Sequence, residues 1–304
     1  MTEVHVILST YNGERFLTEQ LESILAQRSV SIKLYIRDDG SSDGTRTILT
    51  SFAQNHAHIE VDYGDNMGVI NSFFALLKKI PPDAGFVAFA DQDDIWMSDK
   101  LTRAVDRIKN SSGPAMYCSC YKAIDENGRF LWQSQLPEKE ISFKNAIVQN
   151  ITTGCTVVIN KSLLSMLKIN QVNTRNLVMH DWWVYLVATC FGQVIYDQEP
   201  SMLYRQHGGN VVGAKNGFAF WLGRIKRFFL NRKKNSRIAQ SKEFLERYKG
   251  DLSADDVHLL STFIAYRQAG LLQRIGYAIE TPLYMQKKID NLILKLQLIL
   301  NSAY

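Results

Sequence analysis

A chain of 304 residues has room for one large α/β domain with an appendage, or for two modest domains, and can bury a core of ordinary size. Its 46% apolar and 21% charged content excludes a disordered or fibrous class. The segment from Lys215 to Arg237 carries eight basic residues and no acidic one; subtracting its +8 from the total of +5 leaves −3, so any attraction for anionic partners belongs to that segment.

In chain order, Val4 to Leu8 is a buried-strand candidate that runs into the polar turn Ser9 to Glu14. Phe16, Leu17, Leu21, Ile24 and Leu25 follow at helical spacing. A second strand, Ile32 to Ile36, ends in Arg37-Asp38-Asp39-Gly40-Ser41-Ser42-Asp43-Gly44, where Ser42 or Asp43 is the expected N-cap of a helix carrying Ile48, Leu49 and Phe52. A third strand, Ile59 to Tyr63, leads through Gly64 to Gly68 into a helix with Phe73, Phe74, Leu76 and Leu77. A fourth apolar run, Phe86 to Ala90, stops in Asp91-Gln92-Asp93-Asp94, and a helix with Leu101, Ala104, Val105 and Ile108 comes next. Four strand, loop, helix units in succession predict a mostly parallel sheet with helices on both faces.

In such sheets ligands sit beyond the carboxyl ends of the strands. All four polar loops belong to that one rim. Asp91 and Asp93 are two residues apart and share a side where the strand ends, and crowded carboxylates repel. They read either as a site for Mg²⁺ or Mn²⁺, whose preference is for hard oxygen ligands, or as a solvated loop.

The second half is less regular. Strands are expected at Ala115 to Cys120, Thr156 to Ile159 and Met202 to Gln206, a hairpin turn at Asp125 to Gly128, and a surface loop over Leu136 to Lys144. A helix follows with Leu163, Leu164 and Leu167, and His180-Asp181 opens a strongly apolar helix, Trp182 to Cys190. Beyond Lys215, aromatic and basic residues interleave over Phe218 to Arg237, and the remainder is helix-like, so a boundary is placed near residue 215, with 1–215 as one domain and 216–304 as a helical region. The basic aromatic stretch reads as a membrane-docking surface or as a helix packed on the first domain; no nucleic-acid recognition motif accompanies its charge. The four cysteines show neither a C-x-x-C pair nor zinc spacing and fit reduced thiols. No signal peptide or membrane span is expected, because the charge-free run from Trp182 to Tyr196 is too short for a bilayer and is broken by Gly192.

The ordered set Ser9-Thr10-Tyr11-Asn12-Gly13, Arg37 to Thr45, Asp91-Gln92-Asp93 and His180-Asp181-Trp182 resembles the inverting family-2 glycosyltransferases of the GT-A fold. Phe89 to Trp96 together with Tyr204-Arg205-Gln206-His207-Gly208 is similar to their rhamnosyltransferase branch, and the resemblance covers roughly the first two thirds of the chain. It implies that Thr10, Tyr11, Asn12 and Asp39 hold the base and ribose of a nucleotide. Asp91 then faces the ribose or a metal-bound water, Asp93 ligates Mg²⁺ or Mn²⁺, and Asp181 is the general base. His207 reads as a metal or diphosphate ligand, or as a structural histidine; Asn66 and Gly68 line the sugar pocket, or only form a turn. Asp39 and Asp181 each have a second reading, as a turn or N-cap residue.

The implied activity is transfer of L-rhamnose from dTDP-L-rhamnose, with inversion, to a hydroxyl of a lipid-linked glycan, by a cytoplasmic enzyme attached peripherally to an anionic membrane. Another nucleotide sugar such as a UDP-hexose, or a non-catalytic nucleotide-sugar-binding scaffold, are the alternatives.

Overall fold

Strand β1 (Thr2–Thr10) is apolar on both faces because both are covered. Val4, Val6 and Leu8 enter one buried cluster, while Ile7 between them enters another. The same alternation divides β4, sending Val87 and Phe89 to one side and Ala88 and Ala90 to the other. The computed structural model describes residues 1–207 and 237–301.

The first half runs β1, α1 (Leu17–Leu25), β2 (Val30–Asp38), α2 (Thr45–Asn55), β3 (Ile59–Tyr63), α3 (Val69–Lys79), β4 (Phe86–Ala90), β5 (Ile95–Trp96) and α4 (Lys100–Ile108). It continues with β6 (Ala115–Ser119), β7 (Lys122–Ile124), β8 (Phe130–Gln133), α5 (Phe143–Ala146), β9 (Val158–Asn160), α6 (Lys161–Met166), α7 (His180–Phe191), β10 (Gln193–Asp197) and β11 (Met202–Arg205). Four helices close the described chain: α8 (Arg237–Tyr248), α9 (Ala254–Ala265), α10 (Leu271–Glu280) and α11 (Lys288–Ile299).

Among the described residues, seven strands form one sheet in the order β10-β6-β9-β4-β1-β2-β3. The four expected strands are mutually parallel where they pair, and β9 is antiparallel to both β4 and β6. The carboxyl ends of β1, β2, β3 and β4 therefore share one rim, as the succession of units predicts. A smaller sheet, β5-β11-β7-β8, stands beside that rim and brings Leu203 opposite Ile95.

One face of the large sheet is packed by α1, α2 and α4, through Leu17, Leu21, Leu49, Leu101 and Ile108. The other is packed by α3 and α7, and the C-terminal helices lie over that layer, with Phe244 against Phe143 of α5 and Trp183 and Phe191 of α7. Phe244, Tyr248, Phe263, Leu294 and Leu298 share a single cluster with Ile7, Phe73, Phe89 and Trp183.

Three local expectations change. The N-cap of α2 is Gly44 rather than Ser42 or Asp43; the Asp43 carboxylate still accepts from the Thr45 N–H at 3.1 Å, one position early. The loop expected over 136–144 ends in α5, whose N-cap Ser142 accepts from Asn145 N–H. The strand expected at Thr156 begins at Val158, because residues 154–156 form a 3-10 turn. No helix among the described residues is long and apolar enough to cross a membrane. The expected docking stretch over 218–236 falls outside them.

Candidate active site

A cavity of about 650 Å³ opens at the common rim of β1, β2 and β4 and is closed on its far side by α7 and β11. Ser9, Tyr11, Asp39, Asn66, Gly68, Asp91, Asp93, Asp181 and His207 all line it. Thr10 and Asn12 stand outside its wall. The Thr10 hydroxyl donates to Asp38 at 3.2 Å, and the Asn12 side chain accepts from Ser42 N–H at 2.9 Å while its own N–H donates to Ser41. These bonds tie the first loop to the second and leave the Tyr11 ring about half exposed at the mouth of the cavity.

Gln92 fixes the same loop from the opposite side. Its carbonyl oxygen accepts from Tyr11 N–H at 2.8 Å and its amide donates to the Tyr11 carbonyl at 3.1 Å, so one side chain mimics a strand partner. Gly13 makes room for it, since a Cβ there would fall 2.4 Å from the Gln92 oxygen.

Asp39 is held by Arg37 and by the backbone N–H groups of Met67 (3.0 Å) and Gly68 (2.9 Å). A carboxylate offers about four lone-pair positions, so three bonds leave one for an imide or hydroxyl donor in the cavity. Asp39 joins the second and third loops through the turn at Met67 and Gly68, and lines the cavity wall.

The acidic stretch separates by depth. Asp91 and Asp93 line the cavity, while Asp94 is fully buried and accepts from Arg205 N–H at 3.1 Å. Burial, followed by the neighbouring Asp93 charge, pushes the Asp91 carboxyl up to about 7, and burial drives Asp94 well above the carboxylate range. Behind them Lys100 is fully buried against the Trp96 ring, 3.7 Å from its centroid, and burial lowers its ammonium to about 8.

Two sets of atoms in this region could hold a cation. Asp91, Asp94 and Cys155 bring ligand atoms within 4.8 Å of one another, but Asp94 and Cys155 do not line the cavity, and a thiol suits soft ions. Asp93 and His207 do line it, with the His207 Nε2 to Asp93 Oδ2 separation at 2.6 Å. The carboxylate of this pair, beside Asp91, supplies the oxygen ligands that suit Mg²⁺ or Mn²⁺, whereas an imidazole suits borderline ions better.

Asp181 lies in the first turn of α7 and is 6% exposed. The Asn150 amide donates to one carboxylate oxygen at 3.0 Å and the Trp182 N–H to the other at 2.8 Å. Burial outweighs these bonds and pushes the carboxyl up to about 6, so it is still ionised at neutral pH. Met179, not Asp181, is the N-cap of α7.

Sequence reasoning assigned no role to Gln92, Asn150, Arg205 or His180. Arg205 joins the acidic loop to the hairpin by donating to the carbonyls of Asp93 (3.0 Å) and Glu126 (3.2 Å). Gln92, Asn150 and Arg205 each bond a residue far away in the chain. Only the presence of Gln92, Arg205 and His180 inside the ordered motifs could have singled them out.

A family model described as glycosyl transferase family 2 matches residues 5–167. The chain belongs to that family: it is a glycosyltransferase with the GT-A fold. The dTDP-rhamnosyl transferase RfbG of Shigella flexneri is 31% identical over 97% of this chain and 99% of its own length. An Escherichia coli UDP-Glc:alpha-D-GlcNAc-diphosphoundecaprenol beta-1,3-glucosyltransferase, WfgD, is 30% identical over 53% of this chain and 62% of its own. The structure of S. aureus TarS 1-349 in complex with UDP-GlcNAc matches with a TM-score of 0.60 at 18% identity, covering 100% of this chain and 82% of that 1-349 chain, which supports the fold alone.

Proposed function

We propose that the protein transfers L-rhamnose from dTDP-L-rhamnose to a sugar hydroxyl of a lipid-linked cell-surface glycan precursor, inverting the anomeric carbon. The observation that carries the donor is the likeness to the Shigella rhamnosyl transferase across 97% of the chain. In this reading the turn of Thr10, Tyr11 and Asn12 holds the nucleotide, with the Tyr11 ring stacking on the base and Asp39 accepting from the thymine imide. Asp91 faces the ribose side, and Asn66 and Gly68 line the diphosphate or sugar. Asp181 takes the proton of the attacking hydroxyl, so that the new bond forms on the face opposite the departing diphosphate. Mg²⁺ or Mn²⁺ held by Asp93 and His207 would supply positive charge against the diphosphate as it leaves.

The chain would work at the inner face of the cell membrane as a peripheral enzyme, with residues 1–215 as the catalytic domain and 216–304 as the attachment region. Two features support attachment. The basic aromatic stretch after residue 215 is one. The other is α11, which exposes Ile289, Leu292, Leu296 and Leu300 at helical spacing beside Lys288 and Lys295.

Turnover measured with dTDP-rhamnose, UDP-glucose and UDP-GlcNAc, using a polyprenyl-diphosphate-linked sugar as acceptor, tests the donor. Transfer from dTDP-rhamnose alone is expected; transfer from a UDP-hexose alone would reject it.

A further inference from the structure

The last two helices differ from the two before them in what they show to solvent. The exposed residues of α8 are Lys242 and Glu246, and those of α9 are Ala254, Asp255, His258, Ser261 and Ala265. Those of α11 are Lys288, Ile289, Leu292, Lys295 and Leu296, so its outer face is made only of aliphatic and cationic side chains. Asp290, the one acidic residue of that helix, is turned inward and 7% exposed.

The aliphatic residues form a stripe. Ile289, Leu292, Leu296 and Leu300 recur at i, i+3, i+7 and i+11, while Leu294 and Leu298 of the same helix face the core. Helix α10, which packs beside α11, adds Leu272 at 84% and Ile279 at 67% exposure, two turns apart on one side. A single exposed leucine is ordinary, but a row of them on two adjacent helices marks a contact surface.

The pair of helices is fixed to the catalytic domain rather than hanging from it. In the connection between them, Gln286 N–H donates to the Gln149 side chain at 2.7 Å, the Gln286 side-chain carbonyl accepts from Lys139 N–H at 2.7 Å, and the Tyr284 carbonyl accepts from the Asn145 amide at 2.9 Å. Gln149 adjoins Asn150, which bonds the Asp181 carboxylate. The outer face therefore stands at a set distance and angle from the active site.

We propose that the outer face of α10 and α11 is a docking surface for an anionic lipid bilayer, with the aliphatic stripe sunk at the acyl-chain boundary and Lys288 and Lys295 reaching the phosphate head groups. The inference rests on the peripheral-enzyme reading and gives it a rigid contact surface, separate from the basic aromatic stretch. Charge selects this occupant. A second copy packed on the same stripe would bring lysines of both copies together, whereas anionic head groups neutralise them. A rigid face also presents the cavity to a lipid-linked acceptor in one orientation, which a flexible tether would not do.

The test is sedimentation of the full chain with phosphatidylcholine vesicles that contain or lack phosphatidylglycerol. The parent should bind the anionic vesicles more tightly, and less so as salt is raised. Leu292→Gln with Leu296→Gln should weaken that binding by about 10-fold or more at parent Tm and dTDP affinity. Lys288→Gln with Lys295→Gln should cost roughly fivefold per charge and reduce the preference for phosphatidylglycerol. Binding that withstands the leucine changes, or that is lost only when Arg224, Lys226 and Arg227 are changed to glutamine, would overturn this surface and leave peripheral attachment standing; no binding by the parent would overturn both. A dimer that the leucine changes dissolve, with vesicle binding intact, would give the face to a second copy and overturn the proposal too. Should the leucine changes lower Tm, Leu272→Gln with Ile279→Gln on α10 takes their place, with the same outcomes.

Discussion

The two walls of the cavity are finished to different degrees. On the wall built from the β1, β2 and β4 loops, polar groups satisfy one another: Gln92 with Tyr11, Asn12 with Ser41 and Ser42, Asp39 with Met67 and Gly68. Each wall carries one carboxyl raised by burial, Asp91 to about 7 on the first and Asp181 to about 6 on the wall built from α7, but on the second the histidine beside it has no partner among the described residues. In the proposed reading the first wall would hold the nucleotide, which a surface set in advance binds without further ordering, and the α7 wall would face the reacting sugar.

If this division holds, substitutions on the two walls should separate into effects on kcat and effects on donor affinity. The largest effect is expected from Asp181→Asn, which should lower kcat by about 10²–10⁴-fold while the Kd for dTDP stays at the parent value. Weakened dTDP binding would mean that Asp181 belongs to the nucleotide wall. Asp93→Ala comes next, since charge stabilisation of the leaving diphosphate is worth several kcal/mol, a loss on the order of 10²-fold or more. Its metal dependence, titrated with Mn²⁺, should shift to higher concentration, and an unchanged titration would remove Asp93 from the cation site.

Gln92→Ala should raise the donor KM by up to roughly 30-fold at nearly constant kcat, because it deletes two hydrogen bonds of about 1 kcal/mol each that hold the Tyr11 loop. An equal fall in kcat would instead couple that loop to the chemical step. The smallest effect concerns pH. A base works deprotonated, so kcat should fall as pH drops through about 6. Asn150→Ala removes a bond that favours the charged carboxylate, so the acidic limb should move up, by roughly 0.7 unit for about 1 kcal/mol. A limb that moves down, or does not move, would assign it to another group.

The nucleotide wall was the more legible in the sequence, for a physical reason. Its strands are buried on both faces and read as apolar runs, and each ends at once in the polar loop it serves, so Val4 to Leu8 and Phe86 to Ala90 announce both structure and site. The small sheet was not legible as a sheet, since β5 has two residues and its partner β11 begins at Met202. Strand β10 was missed because its apolar residues continue the run of α7 across Gly192, and only half-burial at the sheet edge distinguishes them. Asp181 was found through its motif rather than its burial. His180 carries no local signal, as one histidine at the start of an apolar helix looks the same whether its nitrogens are paired or not.

The cluster that joins Ile7 and Phe89 to Leu294 and Leu298 has a consequence for what a shorter chain would keep. The sheet face itself is covered by α3 and α7, and the C-terminal helices lie over that layer, with Phe244 against Phe143, Trp183 and Phe191. Removing the residues after 215 would therefore leave the rings of Phe143, Trp183 and Phe191 wet rather than the sheet, and a shortened chain is expected to keep its strands while losing the packing that steadies α7.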